Sequence, residues 1–136
     1  MNELGKKGEQ LAAQYYEGLG FKIIAQNYIL PYGKQSGELD LVLSNTHQDE
    51  IVFVEVKTRR SKTFGEAEES IDRNKSQRLV RTAKMFLQLH KQYQDFDYRI
   101  DVALVDVDPV RGATSNGVDN LAQPVIIIPN AIEDVD

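Results

Sequence analysis

Two apolar runs with charges set inside them constrain this chain more than any other feature. Glu38-Leu39-Asp40-Leu41-Val42-Leu43-Ser44 and Glu50-Ile51-Val52-Phe53-Val54-Glu55-Val56-Lys57 are separated by the polar stretch Asn45-Thr46-His47-Gln48-Asp49. Short runs rich in Val, Ile and Leu, joined by turn residues, predict an antiparallel hairpin with strands over 38–44 and 50–57. Strand side chains alternate between faces, so Glu55 and Lys57 project from one side, and hairpin pairing brings Asp40 near them. A charge on a core strand is costly to bury unless it is paired or binds a metal ion. Two carboxylates about one side chain apart repel each other, and a hard divalent cation relieves that repulsion. Magnesium suits such a pair, because it takes oxygen ligands and leaves most of its shell to water and phosphate. A lysine beside it would orient or deprotonate an attacking water, while the metal polarises a phosphoryl oxygen and lowers the pKa of bound water. A purely structural reading fits the same residues: a Glu–Lys pair at a strand end, with Asp40 as a satisfied, half-buried carboxylate.

Around the hairpin the chain reads as one domain spanning residues 1–136, a length that supports a single core. A first helix is predicted over about 3–19, with Asn2 as N-cap, Leu4, Leu11, Ala12, Tyr15 and Leu19 at roughly helical spacing, and Gly20 as the stop. Phe21 to Ile29 reads as extended, and Pro31, Gly33 and Gly37 punctuate the connection that follows. A polar loop over 60–65 leads into a second helix expected from about Ala67 to Tyr93, with Asn74 as a weak point in an early turn. Leu79, Ala83, Phe86 and Leu87 fall on one side of it, while Lys75, Arg78, Arg81 and Lys84 step around the opposite side. His90 lies on the apolar side and reads as a core-edge histidine. Tyr98–Val107 is a further strand containing Asp101, expected to pair with Arg99 or Lys57 in a structural role. Residues 108–124 read as a long loop, Val125–Ile128 as a last short buried strand, and 133–136 as a frayed acidic tail. The order αβββαββ predicts a layered α/β domain with a central mixed sheet.

Composition removes several functions. With no cysteine, disulfide scaffolds, thiolate zinc sites, iron–sulfur clusters and cysteine nucleophiles are excluded. The two histidines, His47 and His90, exclude a three-histidine zinc site. Met1 to Lys7 shows no apolar stretch of a signal peptide, and no apolar run is long enough to span a membrane, so a cytoplasmic protein is expected. A net charge of −5 argues against a nucleic-acid partner for the chain taken whole. The charge is segregated, however: residues 57–84 hold nine basic and four acidic side chains, a net of +5, against −4 before them and −6 after. A solvated helix face gives the same count. Its adjacency to the hairpin marks Arg59, Arg60, Lys62, Lys75 and Arg78, extended by Arg81, as expected phosphate contacts. No recognition helix or zinc finger is present, so little base-specific readout is expected.

Five strings recur in order: Gly5-x-x-Gly8-Glu9-x-x-Ala12, Gly37-Glu38-Leu39-Asp40-Leu41, Phe53-Val54-Glu55-Val56-Lys57-Thr58-Arg59, Arg99-Ile100-Asp101-Val102 and Ile128-Pro129-Asn130-Ala131. Together, over roughly residues 5–132, they resemble the YraN family of small bacterial proteins. The resemblance implies a restriction-endonuclease-like fold, a three-layer α/β/α core similar in layout to archaeal Holliday-junction resolvases. It implies Asp40 and Glu55 as metal ligands and Lys57 as the residue that positions or activates water. It also implies Glu9 as an accessory acidic ligand, although on the residues alone Glu9 reads as a dipole-favoured surface group. Glu38 alternates onto Asp40's side as an outer partner. The expected function is a magnesium-dependent endonuclease, with manganese as a substitute, that hydrolyses phosphodiester bonds in DNA, branched or damaged DNA included. Resolvase-like cutting of two strands implies a homodimer. Two other functions compete: a nucleic-acid-binding module on the same fold without hydrolysis, and an adaptor whose basic helix meets an acidic protein. Metal dependence separates the first two, and salt-sensitive DNA binding argues against the third.

Overall fold

Hairpin pairing and one helical crossover build the sheet. The computed structural model describes residues 3–31, 37–45, 47–60, 72–107 and 124–132. Its elements are α1 (Glu3–Gly18), β1 (Lys22–Ile29), β2 (Glu38–Asn45), β3 (Glu50–Arg59), α2 (Arg73–Leu89), a 3-10 turn (Lys91–Tyr93), β4 (Asp97–Asp106) and β5 (Val125–Ile132). The sheet order is β1-β2-β3-β4-β5. β3 and β4 pair in parallel and the other neighbours antiparallel. A parallel pair needs a crossover, and α2 lies in that connection. The predicted order αβββαββ and the mixed sheet are both present.

Each face of the sheet buries one helix. Leu79, Ala83 and Phe86 of α2 pack on Ile51, Phe53, Ile100 and Leu104, with Phe53 and Phe86 edge to face at 5.6 Å between centroids. On the other face Ala12, Ala13 and Tyr16 of α1 cover Leu41, Leu43, Val52, Val54 and Ala103. Helix, sheet and helix therefore form three layers, with β3 buried from Ile51 to Glu55.

Several boundaries and faces differ from the sequence expectation. The buried stripe of α1 is Gly8, Glu9, Ala12, Ala13 and Tyr16, while Tyr15 and Leu19 are exposed. Gly8 sets that face, because α1 lies tight on β3 there: a Cβ at Gly8 would overlap the Thr58 side chain. α2 begins at Arg73, where Asp72 caps it by accepting the Lys75 backbone N–H at 2.8 Å. Asn74 sits in that first turn without breaking it, and the expected turn over 67–71 lies outside the described residues. α2 ends at Leu89 because His90 leaves the helical region (φ −118°, ψ 81°). His90 nonetheless keeps the expected place at the core edge, stacked on Phe86 at 3.9 Å. β5 is longer than expected and only partly buried, with Val125 and Ile132 in the core. It runs through Pro129 to Ile132, with Ile126 exposed. An edge strand tolerates a proline that cannot donate to the ladder, and the register with β4 shifts between Ile100 and Val102. The loop expected over 108–124 and the tail 133–136 fall, but for Pro124, outside the described residues. No helix among the described residues is long and apolar enough to cross a membrane.

Candidate functional site

The β2–β3 ladder ends at the pair Leu41↔Val54. Beyond it the Asp40 side chain takes over, its Oδ2 accepting the Val56 N–H at 2.9 Å. One more step of the same register sets Asp40 opposite Glu55, so both carboxylates stand on one side of the sheet. Lys57 alternates onto that side as well. Glu55 is buried, and Lys75 of α2 reaches it with Nζ 2.5 Å from Oε2. Glu9 comes from α1, buried, with Oε1 lacking any hydrogen-bond partner. Glu9, Asp40 and Glu55 line one cleft of about 520 Å³, rimmed by Lys75, Arg78 and Arg81.

Crowded acids in a partly dry cleft change one another's chemistry. Burial pushes the Asp40 carboxyl up to about 8, the Glu55 charge adds to the rise, and the Val56 hydrogen bond opposes it. Glu9 is raised in the same way, first by burial; a hydrogen bond with Asn27 works against this, and Glu55 and Glu38 work with it. Burial alone would lower Lys75, but its hydrogen bond and ion pair with Glu55 outweigh that and leave it above the ordinary lysine value. Lys57 is lowered, by burial first and by the Lys75 charge second. The two lysines are thus driven apart: Lys75 is held charged and Lys57 is biased towards neutrality.

This donor set suits a hard divalent cation. All its candidate donor atoms are carboxylate oxygens, one of them is buried and unpaired, and two of the acids are raised, first by burial and then by neighbouring negative charge. Among the described residues no three His, Cys, Asp or Glu side chains stand close enough together to hold a metal ion, so any cation here would rest on the Asp40–Glu55 pair. A carboxylate pair with open positions matches magnesium, which keeps waters and takes phosphate oxygens.

Of the residues singled out in the sequence, Asp40, Glu55 and Glu9 line one cleft, and Lys57 lies outside that lining but within range of Glu55 and Lys75. Arg78 and Arg81 face the same cleft. Arg59 instead donates from Nη1 to the Thr58 carbonyl at 2.8 Å. Arg60 lines a separate cleft of about 540 Å³ with Lys6, Lys7 and Gln10, and Lys62 lies outside the described residues. Lys75 departs from its expected place on a solvated face, since it is turned inward onto Glu55. The topology carried the signal. A helix returning between parallel strands runs back over the strand it leaves, so its first turn overhangs that strand's C-terminal end. Gly37 is also explained: its φ is +145°, and a Cβ there would overlap the Thr82 side chain of α2. Asp101 pairs with Arg99 rather than Lys57.

The fold and cleft define a small three-layer α/β protein whose acidic centre opens where two strands part beneath a basic helix. The model of uncharacterised protein family UPF0102 matches residues 8–105, and the chain belongs to this family, the YraN family. The chain is similar to a UPF0102 protein of Vibrio parahaemolyticus, 36% identical over 121 residues that cover 85% of this chain and 94% of the relative. It is 41% identical over 96 residues to one of Psychrobacter, covering 69% of this chain and 66% of that protein. A Francisella tularensis relative is 36% identical over 105 residues, 76% of this chain and 85% of its own.

Proposed function

We propose that this chain is a magnesium-dependent endonuclease that hydrolyses phosphodiester bonds in DNA. The observation that carries the reading is the convergence of Asp40, Glu55 and the unpaired Glu9 oxygen in one cleft, with Lys75 on Glu55 and Lys57 within range of both. Asp40 and Glu55 would hold the cation, with Glu9 as the accessory acid. When bound, the cation supplies Lewis acidity to the phosphoryl group and lowers the pKa of a coordinated water. The remaining roles belong to the chain. The Val56 N–H fixes the Asp40 carboxylate. Lys57, with its basicity lowered by burial and by Lys75, is the group suited to take a proton from the attacking water at Nζ. Arg78 and Arg81 bind phosphate oxygens along the rim, and Arg60 with Lys6 and Lys7 offers phosphate contacts further along the backbone. The resemblance to resolvases supports branched DNA as substrate and a homodimer as the cutting unit.

One observation favours a second reading, a nucleic-acid-binding module without hydrolysis: Lys75 already neutralises Glu55. A cleavage panel separates the two. Linear duplex, single strand, flap and four-way junction are each incubated with magnesium, manganese or chelator, beside a Glu55→Ala/Lys57→Ala control. Metal-dependent cutting that disappears in the control is the expected result. Salt-sensitive binding without cutting on any substrate would overturn the nuclease reading in favour of the module.

A further inference from the structure

Lys75 and Glu55 form an unequal pair. The Glu55 side chain is 8% exposed and set in the sheet, whereas the Lys75 side chain is 36% exposed. The backbone around Lys75 is fixed: Asp72 caps its N–H, and the close approach of Gly37 to Thr82 seats the middle of α2 on the loop before β2. The movable part is therefore the four-carbon lysine stem, a flexible tether for a point charge. Its ammonium sits on one of the two carboxylates proposed to hold the metal. A divalent cation on Glu55 and an ammonium on its Oε2 repel each other, and a buried carboxylate left without either is strongly disfavoured. Arg78 and Arg81 rim the same cleft on successive turns. A phosphate bound there comes within reach of Lys75 and offers it another partner.

We propose that Lys75 is a built-in counterion that keeps Glu55 closed to divalent metal until nucleic-acid phosphates draw it away. This rests on the metal-site reading above and adds a coupling to it. Metal binds weakly to the free protein and more tightly to the complex, and by linkage metal strengthens nucleic-acid binding by the same factor.

Manganese titration of the full chain tests this, with free ion read by electron paramagnetic resonance and no turnover required. Lys75→Gln should bind manganese about tenfold more tightly than the wild type, within the usual range of coupling between sites. Lys75→Arg keeps the charge and should stay near the wild type. A short phosphorothioate DNA duplex, resistant to hydrolysis, should tighten manganese binding by the wild type by a similar factor and leave Lys75→Gln unchanged. Glu55→Gln should abolish the binding in every case. Equal manganese affinity of wild type and Lys75→Gln would overturn the counterion role while Glu55-dependent binding leaves the metal site standing. A duplex without effect on the wild type would overturn the coupling to substrate. Absence of Glu55-dependent binding from all proteins would overturn the metal site and this inference together.

Discussion

Asp101 offers the sharpest test of how the layers are held together. Its carboxylate is fully buried and accepts four hydrogen bonds: from Tyr16 Oη at 2.8 Å, Arg99 Nε at 3.0 Å, Arg99 Nη2 at 3.3 Å and the Asn130 N–H at 2.9 Å. One side chain thus ties α1, β4 and the left-handed turn of β5 at Asn130, where φ is +49°. Asp101→Ala strands the tyrosine hydroxyl and the Asn130 N–H. Arg99 keeps Glu50 at 3.4 Å, and its side chain is about a quarter exposed, so water softens its loss. Breaking a buried ion pair from one side costs about 3–5 kcal/mol, and the partial exposure of Arg99 places the expected value near ~3 kcal/mol. Tyr16→Phe removes a single bond to a charged acceptor and should cost about 1.5–2 kcal/mol. For a chain of this size a loss of ~3 kcal/mol lowers the melting temperature by roughly 10 °C. Urea titrations of the two variants and their double mutant measure both costs and their coupling. A cost for Asp101→Ala below about 0.5 kcal/mol, the level of an ordinary surface change, would show that this carboxylate does not tie the layers together.

Two further outcomes follow from the cleft. Asp40 is raised from its ordinary 3.8 to about 8, so between those values the folded state keeps a proton that the unfolded chain has lost. The metal-free protein should therefore lose stability as pH rises from about 4 to 8. Asp40→Asn should flatten that fall, as read from melting temperatures across the range in chelator. Gly37→Ala combines a strained φ with a clash against Thr82 and should cost about 1–3 kcal/mol. Adding Thr82→Ala should recover only the steric part, as a double-mutant cycle in urea would show.

Much of this arrangement was legible in the residues. Short apolar runs over 38–44 and 50–57 about a polar turn sufficed for the hairpin, and the hairpin register alone sets Asp40 beside Glu55. Arg99 and Asp101, two residues apart on one strand, share a face, so their pairing was open to the same reasoning. Periodicity failed where tertiary context decides. The helical wheel of α2 separates Lys75 from the apolar face but says nothing of the sheet's far end, where the core has given way to carboxylates. The stripe of α1 went to Ala13 and Tyr16 rather than Tyr15 and Leu19, because the close approach of Gly8 to Thr58 sets the helix face and the buried Asp101 carboxylate takes the Tyr16 hydroxyl. Pro129 reads as a strand terminator, yet β5 continues past it because the strand lies at the edge and Asp101 holds the Asn130 turn. Glu9 was the hardest to place. An acid near a helix start is usually a surface group, and only the packing of Gly8 on β3 turns it inward.

In the proposed function, Glu55 serves phosphodiester hydrolysis rather than nucleic-acid affinity. The most direct measurement follows binding and cutting of one DNA substrate in the same magnesium-containing samples for the wild type and Glu55→Gln. The wild type should cut, and Glu55→Gln should lose cutting while binding as tightly or more tightly, since a negative charge has left the cleft. Cutting that survives in Glu55→Gln, or a wild type that binds and never cuts, would contradict this role.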